Sequence, residues 1–281
     1  MTANNLLKKY AALAPQKAQD LNYLLLEITE LSGSDFYANF DLPLDSKVEA
    51  RFIECFELFV QKHLPIQQIL GYAYFYGYKL KVNQNCLIPR KETEELVGLV
   101  LEEYDQVYAT RSQVEVLDLG CGSGAIAIAL KLEEPRLMVE ASDISPEALA
   151  IAKENAQNLN ADINFVLSNW FSNITKAYDI IVCNPPYIPN AEKLDPIVAH
   201  DPALALFGGT KGLDCYEIVL KSVSKHLKNG GLLAFEHAYN QKDNLIKLIQ
   251  QYLTNIEINS YQDFQGRDRM ILVRLKEVEN E

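Results

Sequence analysis

An α/β protein built on a twisted, mainly parallel sheet is what this chain predicts, and three observations carry the expectation. After residue 113, short apolar runs with strand propensity alternate with amphipathic stretches of helical length. The first run empties into a glycine loop and the fourth stops at Asn184-Pro185-Pro186, so both end where the edge of an open sheet binds ligands. The last two runs are joined by a short glycine turn, which favours an antiparallel pair at the C-terminal end of the sheet.

Residues 1 to about 70 precede that alternation and read as helical. From Leu21, apolar side chains recur at Leu24, Leu25, Ile28 and Leu31, the spacing of a one-faced helix, with Gly33 as its stop. A second helix is expected from a capping box, Ser46 with Glu49, through a stripe of Val48, Phe52, Phe56, Phe59 and Val60, to Pro65. The Phe positions are read as core. Tyr74-Phe75 and residues 78–82 flank Gly77, an aromatic hairpin that connects the helical part to the rest. At Leu87-Ile88-Pro89-Arg90 a strand end gives way to an acidic helix start at Glu92, Glu94 and Glu95. Strands follow at Val114–Leu119, Leu137–Asp143, Ile163–Leu167, Tyr178–Cys183 and 232–236. Helices lie between and after them at Ala125–Glu133, 146–159, 213–227 and 241–252. The tail supplies Ile256–Gln262 and 270–275 around Gly266, while 189–213 reads as a long irregular loop of the length that serves as a lid.

Composition narrows the function. With 281 residues, 48% hydrophobic and 23% charged, the chain has ample material for a core and the make-up of a soluble globular protein. A formal net charge of −12 speaks against a protein living on nucleic-acid phosphates. The five cysteines (Cys55, Cys86, Cys121, Cys183, Cys215) are odd in number and lack CxxC spacing. That pattern disfavours a disulfide framework or a zinc site and fits a reducing cytoplasm. The polar N-terminus shows no signal-peptide pattern, and no apolar run approaches the roughly 18 residues of a membrane span. His63, His200, His226 and His237 lack ligand spacing and are read as structural.

Four strand ends carry chemistry. Gly120-Cys121-Gly122-Ser123-Gly124 follows a buried strand and opens a helix, its glycines letting a ligand approach the backbone. The spacing is G-x-G-x-G, with Ala125 next and Asp118 ahead, unlike the G-x-G-x-x-G of a dinucleotide fingerprint. An acid at that place suits a nucleoside that lacks phosphates and carries cationic groups, and S-adenosylmethionine fits. Asp143 ends the second strand where a carboxylate accepts ribose hydroxyls, a solvated strand end being the alternative. Ser145 and Pro146 then start a helix as N-cap and first residue. Trp170, the one tryptophan, lines an adenine pocket or caps the sheet. At the fourth strand end Pro185 and Pro186 present carbonyls without N–H donors, Asn184 adds a side-chain carbonyl and Tyr187 an aromatic face. Such a tip suits a planar –NH2 group; a plain proline-rich turn is the alternative. Asn184 is placed to border the cofactor as well as the substrate. Pro89 and Arg90 frame the mouth of the pocket, unless the acidic residues there serve only the helix dipole.

With these strand ends together, the chain resembles the Rossmann-like class I S-adenosylmethionine-dependent methyltransferases that carry an Asn-Pro-Pro-Tyr motif. Within them it is similar to the peptide chain release factor glutamine methyltransferases. The similarity covers nearly the whole length. It includes Leu87-Ile88-Pro89-Arg90, Glu92-Thr93-Glu94, the loop after Asp118, Asn184 to Tyr187, Leu206-Phe207-Gly208-Gly209 with Gly212-Leu213-Asp214, and Gly266-Arg267-Asp268-Arg269. The chain departs from the family pattern at Lys91 for Pro, at Asn169 for Asp, and at His200-Asp201-Pro202 for Tyr-Glu-Pro. The resemblance implies a helical substrate-recognition domain over 1–70, a β-hairpin linker over 71–86 and a methyltransferase domain over 87–281. It implies in-line methyl transfer to the side-chain amide nitrogen of the glutamine in a release factor's Gly-Gly-Gln loop, with S-adenosylhomocysteine as product. Release factors are then the protein partner, with no direct nucleic-acid binding, no membrane and a cytoplasmic location expected. On this reading Asn184 and the Pro185 carbonyl orient the amide, Pro186 and Tyr187 complete the tip, and Arg90 joins the substrate side.

Three rivals share part of the pattern. An adenine amino-methyltransferase acting on nucleic acid uses the same tip but lacks an answer to the acidic charge and the helical N-terminal part. A non-catalytic module would not need the intact Asn184 to Tyr187 tip, and a nicotinamide oxidoreductase is disfavoured by the glycine spacing.

Overall fold

Heptad-like apolar spacing near the N-terminus folds into a helical unit made of Met1–Gly71 together with Asp195–His200. The computed structural model describes residues 1–276, so 277–281 of the expected 87–281 domain lie outside the described residues. This first unit holds α1 (Ala3–Leu13), α2 (Ala18–Thr29), α3 (Gly33–Ala38), α4 (Ser46–Phe56) and α5 (Ile66–Leu70). Its core gathers Leu6, Leu21, Leu24, Leu25, Phe52, Phe56 and Phe59, so the aromatic stripe of α4 is core as expected. Tyr10 of α1 meets Phe52 and Phe56 edge-on, with centroids 5.5 and 4.6 Å away.

Local signals misplace three boundaries here. Gly33 does not stop a helix: α2 ends at Thr29 with Glu30 in the left-handed region, and Gly33 opens α3 behind the N-cap Ser32. The N-cap of α4 is Asp45, whose carboxylate takes the Lys47 N–H, rather than Ser46 with Glu49. Glu49 instead pairs with the amino group of Met1. Pro65 likewise begins α5 rather than ending α4, which gives way to a π-type turn over Glu57–Gln61.

The second unit runs from Tyr72 to Leu194 and resumes at Asp201. It opens with the hairpin β1 (Tyr72–Phe75) and β2 (Tyr78–Lys81), turned by Tyr76 and Gly77, both at positive φ as a two-residue hairpin requires. Phe75 and Leu80 pack with Leu96, Val97 and Val100 of α6 (Lys91–Glu103). Residues 87–90 are not a strand end: they pair in no ladder, with Ile88 buried and Arg90, in extended conformation, as the N-cap position of α6.

Then come β3 (Val114–Leu119), α7 (Ala125–Glu133), β4 (Leu137–Asp143), α8 (Pro146–Asn158), β5 (Ile163–Leu167) and β6 (Tyr178–Cys183). After the short α9 (Ala203–Leu206) the chain continues through α10 (Asp214–Val223), β7 (Leu227–Glu236), α11 (Lys242–Tyr252), β8 (Ile256–Gln262) and β9 (Asp268–Leu275). β7 starts earlier than expected and α10 stops sooner, because Leu227 already pairs with Tyr178 of β6. The seven-stranded sheet has the order β5-β4-β3-β6-β7-β9-β8. β3 to β7 run parallel, and β9 is antiparallel to both of its neighbours. Every residue of β6 is buried, the signature of a central strand covered on both faces. One apolar cluster lies on the side of α6 and α7, the other on the side of α10 and α11.

Strand order reverses between β3 and β6, which pair directly with Asp118 opposite Val182. Ligands of open α/β sheets bind at such a switch point, outside the carboxyl ends of the strands. The two sequence features with special backbones therefore leave the sheet side by side.

Candidate active site

The loop after β3 is shaped by backbone demands. Gly120, Gly122 and Gly124 have φ of +85, +55 and +81°, a region that side chains with a Cβ rarely enter. The N–H groups of Gly120 and Cys121 donate to the Ser142 carbonyl at 2.8 and 2.9 Å, tying the loop to the end of β4. Gly122 N–H donates to Asp143 Oδ2 at 2.8 Å, and Ser145 N–H donates to its Oδ1 at 2.9 Å. A Cβ on Gly124 would stand 3.1 Å from that of Ala152, so this glycine lets α7 approach α8. Ser123 is buried, its carbonyl taken by Asn155 Nδ2 at 3.0 Å. Cys121 is buried as well, and burial holds its thiol well above the ordinary range. Gly120 and Gly122 thus face the site, while Cys121, Ser123 and Gly124 build the wall behind them.

They open on a cavity of about 310 Å³. Gly120, Gly122, Asp143, Trp170, Asn184, Pro185 and Pro186 all line it, bringing together most of the residues that the sequence singles out. Asn85, Cys86 and Leu87 from the hairpin exit were not foreseen and complete the lining together with Leu204 and Phe207 from the 189–213 segment, which the sequence offers as a lid without naming these residues. Asp143 is the one carboxylate among the lining residues, and none of them is Lys, Arg or His. Burial raises the Asp143 carboxyl, against the N–H groups of Ser145 and Gly122 that favour its charged form.

Behind the loop, Asp118 is fully buried. Its Oδ2 accepts the Ala127 N–H at 3.0 Å, but Oδ1 has no partner among the described residues. Burial pushes its carboxyl up to about 7, opposed by the Ala127 N–H and reinforced by Asp143. A cavity that is mostly apolar, backed by two carboxylates and free of cationic groups, has nothing with which to hold a phosphate. It suits an uncharged nucleoside bearing cationic substituents, so these residues fit S-adenosylmethionine.

Trp170 lines the cavity and also packs against the apolar cluster of Phe171 and Ile174. Its φ of +51° is unusual for a bulky residue, and Ser168 Oγ donates to its carbonyl at 2.6 Å to keep it there. Asn169, one of the departures from the family pattern, is exposed and lines the cavity.

The tip after β6 is clamped from two sides. The 189–213 segment is not irregular where it passes the tip: Ile188 N–H donates to the Leu206 carbonyl and Gly208 N–H to the Ile188 carbonyl, both at 2.9 Å. A Cβ on Gly208 would fall 2.3 Å from the Pro186 carbonyl oxygen, and one on Gly212 would fall 2.1 Å from that of Tyr187. Gln241 Nε2 donates to the Tyr187 carbonyl at 2.9 Å. On the other side Asn184 Nδ2 donates to Thr93 Oγ1 at 3.1 Å, and Thr93 Oγ1 donates to Glu236 Oε2 at 2.6 Å. Tyr187 OH donates to Glu236 Oε1 at 3.4 Å, and burial together with the Glu236 charge raises its phenol.

Tyr187 is therefore spent on the scaffold of the tip and does not line the cavity. Neither does Arg90, which is ion-paired with the buried Asp201, whose Oδ1 also accepts the Ile88 N–H at 3.4 Å. Thr93 and Glu236 escape sequence reading. A strand-end acid such as Glu236 carries the same signal as Asp143, whereas nothing in the run around Thr93 distinguishes it.

A Methyltransferase small domain model matches residues 99–205. The release factor glutamine methyltransferase of Streptococcus pneumoniae is 37% identical over 261 residues, which is 92% of this chain and 92% of its own. The protein of the same name from Bacillus subtilis is 36% identical over 268 residues, 93% of each chain. Among solved structures, a methyltransferase from Pyrococcus furiosus is similar with a TM-score of 0.53 and 15% identity, covering 83% of this chain and 100% of that one. That likeness concerns the fold alone, which is the Rossmann-like class I methyltransferase fold with antiparallel strands at its C-terminal end.

Proposed function

Because the chain belongs to the release factor glutamine methyltransferase family, a family of S-adenosylmethionine-dependent methyltransferases, we propose that it methylates the side-chain amide nitrogen of the glutamine in the Gly-Gly-Gln loop of peptide chain release factors. One observation carries the reading beyond the family: Asn184, Pro185 and Pro186 border the same cavity as Gly120, Gly122 and Asp143. A planar amide at the tip would then lie beside the donor.

S-adenosylmethionine, when bound, supplies a methyl group on a sulfonium that is already activated for transfer. An amide nitrogen is a poor nucleophile because its lone pair is delocalised, so alignment is the work left to the protein. Positioning of this kind is worth ~7–11 kcal/mol in favourable cases. Asn184 Oδ1 and the Pro185 carbonyl accept the two amide hydrogens and hold the amide plane. Both also favour positive charge building on nitrogen, a preorganised contact worth ~3 kcal/mol. Pro186 and Tyr187 keep the tip rigid through the Gly208 and Glu236 contacts. Gly120, Gly122 and Asp143 would hold the nucleoside, with Trp170 beside it and Cys121, Ser123 and Gly124 backing the loop. Asp118 balances the donor's cationic end. The departing proton goes to water, since Asp143, given to the nucleoside, is the one carboxylate among the described residues that line the cavity, and none of them is His or Lys.

The helical unit is assigned to recognition of the rest of the release factor, and Arg90 to the substrate side of the second unit through its pairing with Asp201. A cytoplasmic setting is consistent with five free cysteines and with the absence, among the described residues, of a helix long and apolar enough to cross a membrane.

The test is mass spectrometry of an intact release factor after incubation with enzyme and S-adenosylmethionine. One added methyl group on the peptide holding the loop glutamine is expected; an unmodified glutamine contradicts the reading.

A further inference from the structure

The side-chain amide of Asn184 has two ends of nearly equal size. Only its oxygen can take a hydrogen from a substrate amide, while its NH2 group turned inward would repel that hydrogen. Packing does not discriminate the two, so hydrogen bonding must.

We propose that Glu236 and Thr93 are positioning residues that fix which end of the Asn184 amide faces the substrate; the consequence rests on the glutamine-methylation reading above, the relay itself on geometry. Glu236 sits at the end of β7 and is 1% exposed, and Thr93, in the first turn of α6, is 5% exposed. An ionised carboxylate only accepts. The single Thr93 proton is committed to Glu236 Oε2 across 2.6 Å, which leaves lone pairs on Thr93 Oγ1 to face Asn184 at 3.1 Å. The group that meets those lone pairs is the Asn184 NH2, and Oδ1 is thereby released toward the cavity that Asn184 lines. The second oxygen, Glu236 Oε1, takes the Tyr187 hydroxyl at 3.4 Å. One buried carboxylate therefore addresses both ends of the Asn-Pro-Pro-Tyr turn. Tyr216 anchors it by donating to the Glu236 carbonyl at 2.8 Å.

The relay has a direction, and protonating Glu236 reverses it. A neutral Glu236 donates to Thr93, and the Thr93 proton then turns to Asn184, where it calls for the oxygen instead of the NH2. Burial pushes Glu236 up to about 7; the Thr93 bond, Arg269 on β9 and Tyr187 hold it down, and Glu92 on α6 raises it further. The ionised form is the competent one. Turnover therefore rises as pH rises through the region near 7 and falls below it.

The experiment compares wild type with Glu236→Gln, Thr93→Val and Thr93→Ser in methyl transfer to an intact release factor across pH, with thermal unfolding as the control for folding. Glu236→Gln and Thr93→Val are expected to lower kcat about a hundredfold with the KM for S-adenosylmethionine unchanged, and to lose the rise near pH 7. Thr93→Ser, which keeps the hydroxyl, restores most of the rate and the rise. Wild-type kcat and pH profile in Glu236→Gln overturn the proposal, as does Thr93→Ser failing as badly as Thr93→Val. A second measurement needs no substrate: the 15N-resolved side-chain amide signals of Asn184 should include one protected N–H that Thr93→Val abolishes. Identical signals in both proteins overturn the relay. Should wild type itself leave the release factor unmethylated, the functional reading fails and the amide signals alone decide the relay.

Discussion

The two walls of the cavity are held by different means. On the side of Gly120 and Gly122 the backbone itself makes the site, through positive φ angles and N–H groups committed to Ser142 and Asp143 at the end of the neighbouring strand β4. On the side of Asn184 the reactive group is a side chain whose orientation depends on residues 91 and 143 positions apart along the relay. A wall made of backbone tolerates many side chains but few losses of glycine. A wall made of side chains is adjustable, and it can be broken by single substitutions that leave the fold intact. The difference also separates roles: the first wall should govern cofactor affinity and the second turnover.

The largest expected break is Asn184→Ala. It should lower kcat by roughly a thousandfold, the loss of a preorganised contact in a dry site, with cofactor affinity by calorimetry little changed. A parallel loss of cofactor affinity would move Asn184 to the other wall. Asp143→Ala should do the reverse, weakening cofactor binding by about 10–100-fold through lost charge-assisted hydrogen bonds, with kcat largely recovered at saturating cofactor. Unchanged affinity would remove Asp143 from the cofactor's contacts. Gly208→Ala sharpens the comparison from outside both walls. Its Cβ has no room against the Pro186 carbonyl, so the tip must shift and stability should fall by about 1–3 kcal/mol in denaturant titrations. A variant as stable and as active as wild type would mean the clamp is slack.

The smallest expected effect concerns Asp118. Its carboxyl is raised to about 7 in the folded protein, so its contribution to the stability of the ligand-free protein is present at acid pH and lost as pH climbs toward and through 7. Asp118→Asn should flatten that part of the stability profile. A cationic ligand prefers the ionised acid, so wild-type affinity should rise with pH through the same window, by about tenfold, and the variant's should not. An equal rise in both would assign the pH dependence elsewhere.

The same division explains what could be read from the sequence. The glycine loop, the Asn-Pro-Pro tip and Asp143 were legible because each is a local demand of the backbone at a strand end, written in residues with few other uses. The mainly parallel sheet followed from the alternation of strands and helices, and the antiparallel tail from its short connection. Gly33, Ser46 and Pro65 misled because the residues that stop a helix also start one, and only the competing cap, Ser32 or Asp45, decides which. Thr93, and the partners of Glu236, which shows in the sequence only as a strand-end acid, were illegible for a different reason. Their meaning arises only where α6, β6 and β7 meet, and no spacing along the chain encodes that meeting. The contacts of 206–208 with the tip were hidden likewise, since a loop that pairs with another loop has no periodicity to show.

The central claim is that the tip orients a protein glutamine amide beside the methyl donor. Its most direct test is transfer from labelled S-adenosylmethionine to an intact release factor, to the same factor with its loop glutamine changed to asparagine, and to duplex DNA. Label on the unaltered factor alone is the predicted result. Label on DNA, or equal label on the asparagine variant, would contradict it.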